Sequence, residues 1–335
     1  MPGQRGAAFG RPGGRLVPGI DVFYSSMNVM DGRDKPGHDV LDTRHFGSIV
    51  SDPLIEKAPA KINLTLRVLR RREDGYHELE SLVAFAGLAD KLDLEPGAGA
   101  TLEVSGPYAA ACGAAADNLI LKAHAALRHR VPGLTAGRFL LDKQLPVAAG
   151  IGGGSADAAA ALRLLARANG LARDDARLAA AALATGADVP VCLGAAARIM
   201  RGVGELLSEP IALPELPAVL VNPGVPVATR AVFEAFAGMQ GSKQPLKNLP
   251  RGRDAMIEFL TRHGNDLTQA AIACAPVVSE VLIALRALPG MQLVRMSGSG
   301  PTCFALFRSA GEAQAAAQRL AAERKDWWVR ATTLS

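Results

Sequence analysis

Residues 145–162 read LPVAAGIGGGSADAAAAL, and the rest of the chain is read outward from them. Four glycines fall in the five positions from Gly150 to Gly154, interrupted only by Ile151. Glycine has no Cβ, so the main chain there curls tightly and lets a ligand approach closely. The alanine-rich run from Ser155 to about Ala168 predicts a helix, stopped by Asn169-Gly170. A helix N-terminus presents free N–H groups and partial positive charge, which suits an anion such as phosphate. Ser155 stands where its hydroxyl can cap the helix, contact phosphate or ligate magnesium. The plain alternative is a helix start after a flexible turn, but three consecutive glycines before a serine favour phosphate. The sequence contains no G-x-x-x-x-G-K-[ST] and no G-x-G-x-x-G. The protein-kinase H-R-D and D-F-G elements are absent as well. The loop is a phosphate loop of another lineage.

Around this loop, 335 residues predict roughly two domains at about 150 residues each. The chain is 49% hydrophobic and 21% charged, which fits a soluble globular protein and excludes wholesale disorder. Its four cysteines (Cys112, Cys192, Cys274, Cys303) are far apart, which argues against a zinc site or a disulfide framework. Aromatic residues are only 4%, too few for stacking platforms on single-stranded nucleic acid. The net charge of +5 comes without any run of five basic residues, so a nucleic-acid partner is not expected. No membrane span is expected either, because the most apolar stretch, Leu178 to Met200, is cut by Asp188, Pro190 and Arg198. With no secretory signal in view, a cytoplasmic protein without an obligate protein partner is expected.

Residues 1–53 are rich in Gly, Pro and Arg and show no useful periodicity, so they predict a disordered extension or a start assigned too far upstream. Strands are predicted within Ile55–Leu69, at Leu79–Phe85, Lys91–Leu94, Ala100–Val104 and Phe139–Leu141. Helices are predicted from Asn118, from Ser155 and from Asp174. The prolines of LPELPAVLVNPGVPV (213–227) mark a connector to a second unit, which contains strand, glycine turn and strand in LVRMSGSGPTCFALF (293–307). Domains at 54–213 and 214–335, both α+β, follow from this pattern.

Three further segments carry chemistry. APAKIN puts Lys61 and Asn63 on one face of a strand. TGADVP sets Asp188 between a glycine turn and a proline, at the end of a helical stretch, and SGSGP (297–301) is a second glycine turn. Each alone is compatible with a surface lysine, a turn aspartate or a hairpin loop.

Together and in this order, PAKIN, the P-x-x-x-G-x-G-G-G-S loop, GADVP and SGSGP resemble the GHMP small-molecule kinases. The segment R-x-DGYHEL (Arg72 to Leu79) resembles one branch of them, whose acceptor is the cytidylylated alcohol 4-diphosphocytidyl-2-C-methylerythritol. The resemblance spans about Ala58 to Phe307. It implies a two-domain α+β fold, with an N-terminal domain like ribosomal protein S5 domain 2 and a ferredoxin-like C-terminal domain. It implies ATP and Mg²⁺ as cofactors and a small-molecule acceptor, with phosphorylation of the 2-hydroxyl in non-mevalonate isoprenoid synthesis. By motif match, Lys61 and Asp188 would be the catalytic pair. Pro146, Val147, Ala148, Ala149, Gly150, Ile151, Gly152, Gly153, Gly154, Ser155 and Ala156 would bind ATP. Asn63 would line the acceptor pocket, and Tyr76 and His77 the cytosine site. The chain departs from the most glycine-rich form of the loop at Val147, Ala148 and Ala149. The competing readings are a GHMP kinase for another alcohol, an RNA-binding relative of the S5 domain, and a catalytically dead regulator. DGYHEL argues against the first, the scarcity of aromatic and clustered basic residues against the second, and the retained Lys61, Asp188 and loop against the third.

Overall fold

In the computed structural model, residues 54–237, 241 and 246–335 are described, and the readings made for residues 1–53 lie outside this range. The strands are β1 (Leu54–Asn63), β2 (Arg67–Arg71), β3 (His77–Gly97), β4 (Ala100–Ser105), β5 (Ala136–Asp142), β6 (Arg198–Gly202), β7 (Leu206–Leu207), β8 (Leu216–Asn222), β9 (Leu293–Met296), β10 (Cys303–Leu306) and β11 (Trp328–Leu334). The helices are α1 (Leu119–Arg128), α2 (Gly153–Ala168), α3 (Ala176–Thr185), α4 (Val189–Gly194), α5 (Thr229–Phe236), α6 (Arg253–Arg262), α7 (Thr268–Cys274), α8 (Val277–Arg286) and α9 (Ala310–Glu323).

The strands form one sheet in the order β4-β5-β3-β11-β8-β10-β9. β3 is its hub. Its 21 residues cover both Leu79–Phe85 and Lys91–Leu94, predicted as separate strands, because β1, β2, β5 and β6 pair along successive parts of it. The pairing of β1 with β3 is irregular between Pro59 and Lys61, a bulge that bends the strand just where Lys61 leaves it. The C-terminal elements run β8, helices, β9, β10, α9, β11 with antiparallel strand order β11-β8-β10-β9. That is the ferredoxin-like arrangement. The two halves of the sheet meet where Leu334 pairs with Ala86 and where Phe85 and Ser335 exchange backbone hydrogen bonds.

Alanine explains the position of α2. Ten of its sixteen residues are buried, six of them alanines. Small side chains allow α2 to lie close against β1 and β3 while α1, α3 and α4 pack around it, a core that also takes in Phe85, Phe139 and Leu162. A second core lies between the C-terminal sheet and its helices, centred on Val219, Val221, Ala305 and Leu285. The polar face of this frame, at the N-terminal end of α2, is where the motifs converge.

Candidate active site

A cleft of about 690 Å³ is lined by Lys61, Asn63, Pro146–Gly150, Gly152–Ser155, Asp188 and Gly298-Ser299, among others. Segments far apart in sequence thus share one cavity. The bulge before Lys61 leaves its backbone N–H free to donate to the Ile151 carbonyl at 2.9 Å, which moors the glycine loop to β1. The Lys61 ammonium donates to Asp188 Oδ2 at 2.8 Å. The lysine side chain is 5% exposed and the carboxylate 36%, so the pair is seated in the wall with the carboxylate facing the cleft. Asp188 lies just past the end of α3, in keeping with its sequence context. It is the N-cap residue of α4, a six-residue helix begun by Val189-Pro190, without a side-chain cap bond. Its carboxylate is therefore committed to Lys61.

The loop has positive φ at Ala148 (52°), Gly150 (72°) and Gly152 (64°). Gly152 is the N-cap of α2 and no side chain caps the helix, so Ser155 is not the cap. Gly152, Gly153, Gly154 and Ser155 all line the cleft, and the first N–H groups of a helix have no partner within it, which is the arrangement an anion requires. Ser155 itself is half-buried.

SGSGP is more than a hairpin loop. A Cβ on Gly150 would lie 2.4 Å from the Gly300 carbonyl oxygen, and one on Gly298 would lie 2.8 Å from the Gly150 oxygen. The Ser297 hydroxyl donates to the Gly150 carbonyl at 3.1 Å, and Thr302 N–H donates to the Ala149 carbonyl at 3.2 Å. The second glycine turn braces the first by main-chain contact. Asn265, not singled out by sequence, holds that turn by donating to the Met296 and Gly298 carbonyls, each at 2.8 Å.

Asn63 donates from Nδ2 to Ser81 Oγ at 2.7 Å, and its buried Oδ1 has no hydrogen-bond partner. An acceptor left open in the cleft wall suits a hydroxyl donor. Tyr76 is 65% exposed in the turn before β3 and His77 opens that strand; neither is part of the cleft lining. His77 stacks on Phe233, with ring centroids 4.9 Å apart, and Phe233 does line the cleft. Burial chiefly, with the Arg71 charge, lowers the His77 pKa, which favours the uncharged ring.

Two lysines flank the loop. Beside Lys61 on one side, Lys143 on the other donates to Asp90 Oδ2 and Asp157 Oδ2, both at 2.6 Å. Burial alone would lower the Lys143 pKa, but the two carboxylates outweigh it and raise it. Burial raises the Asp157 carboxyl to about 7, with Lys143 offsetting only part of the effect. Phe233, Lys143 and Asp157 carry no sequence signal, since their burial arises from tertiary packing. Among the described residues no cluster of three or more His, Cys, Asp or Glu side chains is placed to hold a metal, and no helix is long and apolar enough to cross a membrane.

Comparison with known proteins agrees with the geometry. The chain matches the GHMP kinases N terminal domain over residues 118–195 and the GHMP kinases C terminal domain over residues 246–326. It is 56% identical over 292 residues to 4-diphosphocytidyl-2-C-methyl-D-erythritol kinase of Rhodopseudomonas palustris, covering 84% of this chain and 99% of the relative. It is 53% identical over 288 residues to the enzyme of the same name from Methylorubrum extorquens, covering 84% of this chain and 99% of that one. A crystal structure of 4-(cytidine 5'-diphospho)-2C-methyl-D-erythritol kinase aligns with a TM-score of 0.69 at 38% identity, over 84% of this chain and 99% of the other. Homoserine kinase from Cytophaga hutchinsonii aligns with a TM-score of 0.62 at 19% identity, over 86% of this chain and 96% of the other, a likeness of fold. The chain belongs to the GHMP kinase family, on the branch of the 4-diphosphocytidyl-2-C-methyl-D-erythritol kinases.

Proposed function

We propose that the chain transfers the γ-phosphoryl group of ATP to the 2-hydroxyl of 4-diphosphocytidyl-2-C-methyl-D-erythritol, a step of non-mevalonate isoprenoid synthesis. The observation that carries the mechanism is the 2.8 Å Lys61–Asp188 pair set in the same cleft as the uncapped N-terminus of α2. A tertiary hydroxyl is far too weakly acidic to ionise at neutral pH. Asp188 accepts its proton as the new O–P bond forms and the bond to the leaving ADP oxygen breaks. Lys61 keeps Asp188 ionised and offsets charge on the transferring group. The loop's N–H groups hold the phosphates, so much of the rate comes from positioning.

Mg²⁺ fits this donor set as a phosphate-bound ion. The Ser155 hydroxyl and the Asp188 carboxylate, both lining the cleft, are oxygens of a suitable type that would help to hold it beside the phosphates. Bound there, it would neutralise phosphate charge. Asn63 Oδ1 would accept from the acceptor alcohol. Exposed Tyr76 and the His77–Phe233 stack would supply aromatic faces for the cytosine. Our reading of two domains meeting near residue 213 is supported by the gap between β7 and β8 at that point. A coupled assay of ADP release tests the reading: turnover requires the cytidylylated acceptor, and 2-C-methylerythritol 4-phosphate is a very poor substitute. Equal rates with both acceptors would leave a kinase but overturn this substrate.

A further inference from the structure

The mechanism uses Lys61 and leaves Lys143 without a task. Lys143 is 3% exposed at its side chain, and its two partners Asp90 and Asp157 are equally buried. Each partner ties Lys143 to a different side of the glycine loop. Asp90, on β3, accepts through Oδ1 from the backbone N–H groups of Gln144 (2.6 Å) and Leu145 (2.8 Å), which lead into the loop. Asp157 is on α2, just beyond the turn where the loop finishes. A Cβ on Gly153 would stand 3.2 Å from Lys143 Nζ and 3.9 Å from Asp90 Oδ2, so the ammonium sits directly beneath the first residue of the helix. One cation is tied to both sides of the loop, and Lys143 and Asp157 also line the cleft.

We propose that Lys143 is a positioning residue of the nucleotide site: by tying Asp90 to Asp157 it sets the distance between the strand entering the glycine loop and the N-terminus of α2. It acts on the nucleotide through the loop and does not touch the reacting atoms. This rests on the reading of Gly150–Ser155 as the phosphate loop. A tie of this kind tunes nucleotide affinity and leaves the acceptor and the Lys61–Asp188 chemistry alone.

The test combines Lys143→Met with the triple variant Lys143→Met/Asp90→Asn/Asp157→Leu. The single change strands two buried carboxylates and threatens folding, whereas the triple change removes all three charges together, an exchange cores tolerate well, and leaves an amide oxygen at position 90 to accept from the Gln144 and Leu145 N–H groups. The readouts are Kd for the non-hydrolysable nucleotide AMPPNP with Mg²⁺ by calorimetry, kcat at saturating ATP, KM for the acceptor, and Tm. The triple variant should melt close to the full-length parent and bind AMPPNP at least about tenfold more weakly. Its acceptor KM should be unchanged, and its turnover at saturating ATP should fall much less than its affinity. A folded triple variant with the parental Kd overturns the assignment. So does a rise in acceptor KM matching the loss of nucleotide affinity, since that is general loosening of the fold. Failure of the parent itself to bind AMPPNP overturns the phosphate-loop reading instead.

Discussion

Lys61 and Lys143 lie on opposite sides of the same pair of glycines. A Cβ on Gly152 would sit 3.2 Å from Lys61 Cβ, and one on Gly153 would sit 3.2 Å from Lys143 Nζ. Both are buried and both bind aspartate, yet their surroundings differ in one respect that decides their work. Lys61 has a single carboxylate, and that carboxylate is 36% exposed to the cleft, where substrate can reach it. Lys143 has two, neither more than 3% exposed, and one also holds the backbone at the loop's entrance. An ion pair with one solvent-facing member can exchange a proton with a ligand. An ion pair enclosed on all sides holds geometry, because any displacement would leave a buried charge uncompensated.

The largest expected effect tests the exposed pair. Asp188→Asn keeps the shape and removes the proton acceptor, so turnover should fall by about 10²–10⁴ while ATP still binds. Lys61→Ala should fall comparably, and the double variant should do little worse than either, since the two act as a unit. Full turnover in Asp188→Asn, measured by ADP release, would leave the exposed pair no more catalytic than the enclosed one.

Next comes the loop between the lysines. Gly150→Ala puts a methyl 2.4 Å from the Gly300 carbonyl oxygen at a φ of +72°. Overpacking and left-handed backbone together should cost about 2–3 kcal/mol. In a chain of this size that lowers Tm by roughly 3–5 °C. An unchanged Tm would mean that the two glycine turns do not brace one another.

The enclosed triad has a pH signature. The folded-state pKa of Asp157 is raised, from the usual carboxyl range to about 7. The folded protein therefore binds more protons here than the unfolded chain between about pH 4 and pH 7. The stability from this group is present in acid and lost as pH rises through about 7. Asp157→Asn removes that dependence. Its Tm relative to the parent should be more favourable at pH 8 than at pH 5; a constant difference across the range would show that Asp157 is ionised throughout.

What could be read from sequence follows the range of the interactions. The glycine loop, the helix after it and the strand–turn–strand at 293–307 are local, and composition alone marks them. Lys61 and Asp188 are 127 positions apart and come together only through the family pattern. Lys143 follows a strand among polar neighbours and has the sequence context of a surface residue; only the packing of β3 and α2 encloses it. The helix α4 is too short to show periodicity, and Phe233 meets His77 across two segments of chain that no spacing relates. At Gly153 the loop needs the missing side chain and not an unusual φ, since the residue is already helical. The positive φ values belong to its neighbours.

The smallest expected effect concerns one of those neighbours. Ala148 holds a φ of 52°, where its Cβ crowds the backbone, at a position where this chain departs from the glycine-rich form of the loop. Left-handed backbone costs a non-glycine residue about 1–2 kcal/mol. Glycine removes that strain but adds freedom to the unfolded chain, worth roughly 0.4–1 kcal/mol in the opposite direction. The balance favours glycine by a few tenths of a kcal/mol to about 1 kcal/mol, so Ala148→Gly should raise Tm by roughly 0.5–1.5 °C. Nucleotide affinity should stay close to the parent's, because the conformation is already the one glycine prefers. A fall in Tm would show that the alanine methyl makes contacts that outweigh its strain, and a loss of AMPPNP binding with Tm preserved would show that stiffness at this position, as well as shape, serves the phosphate site.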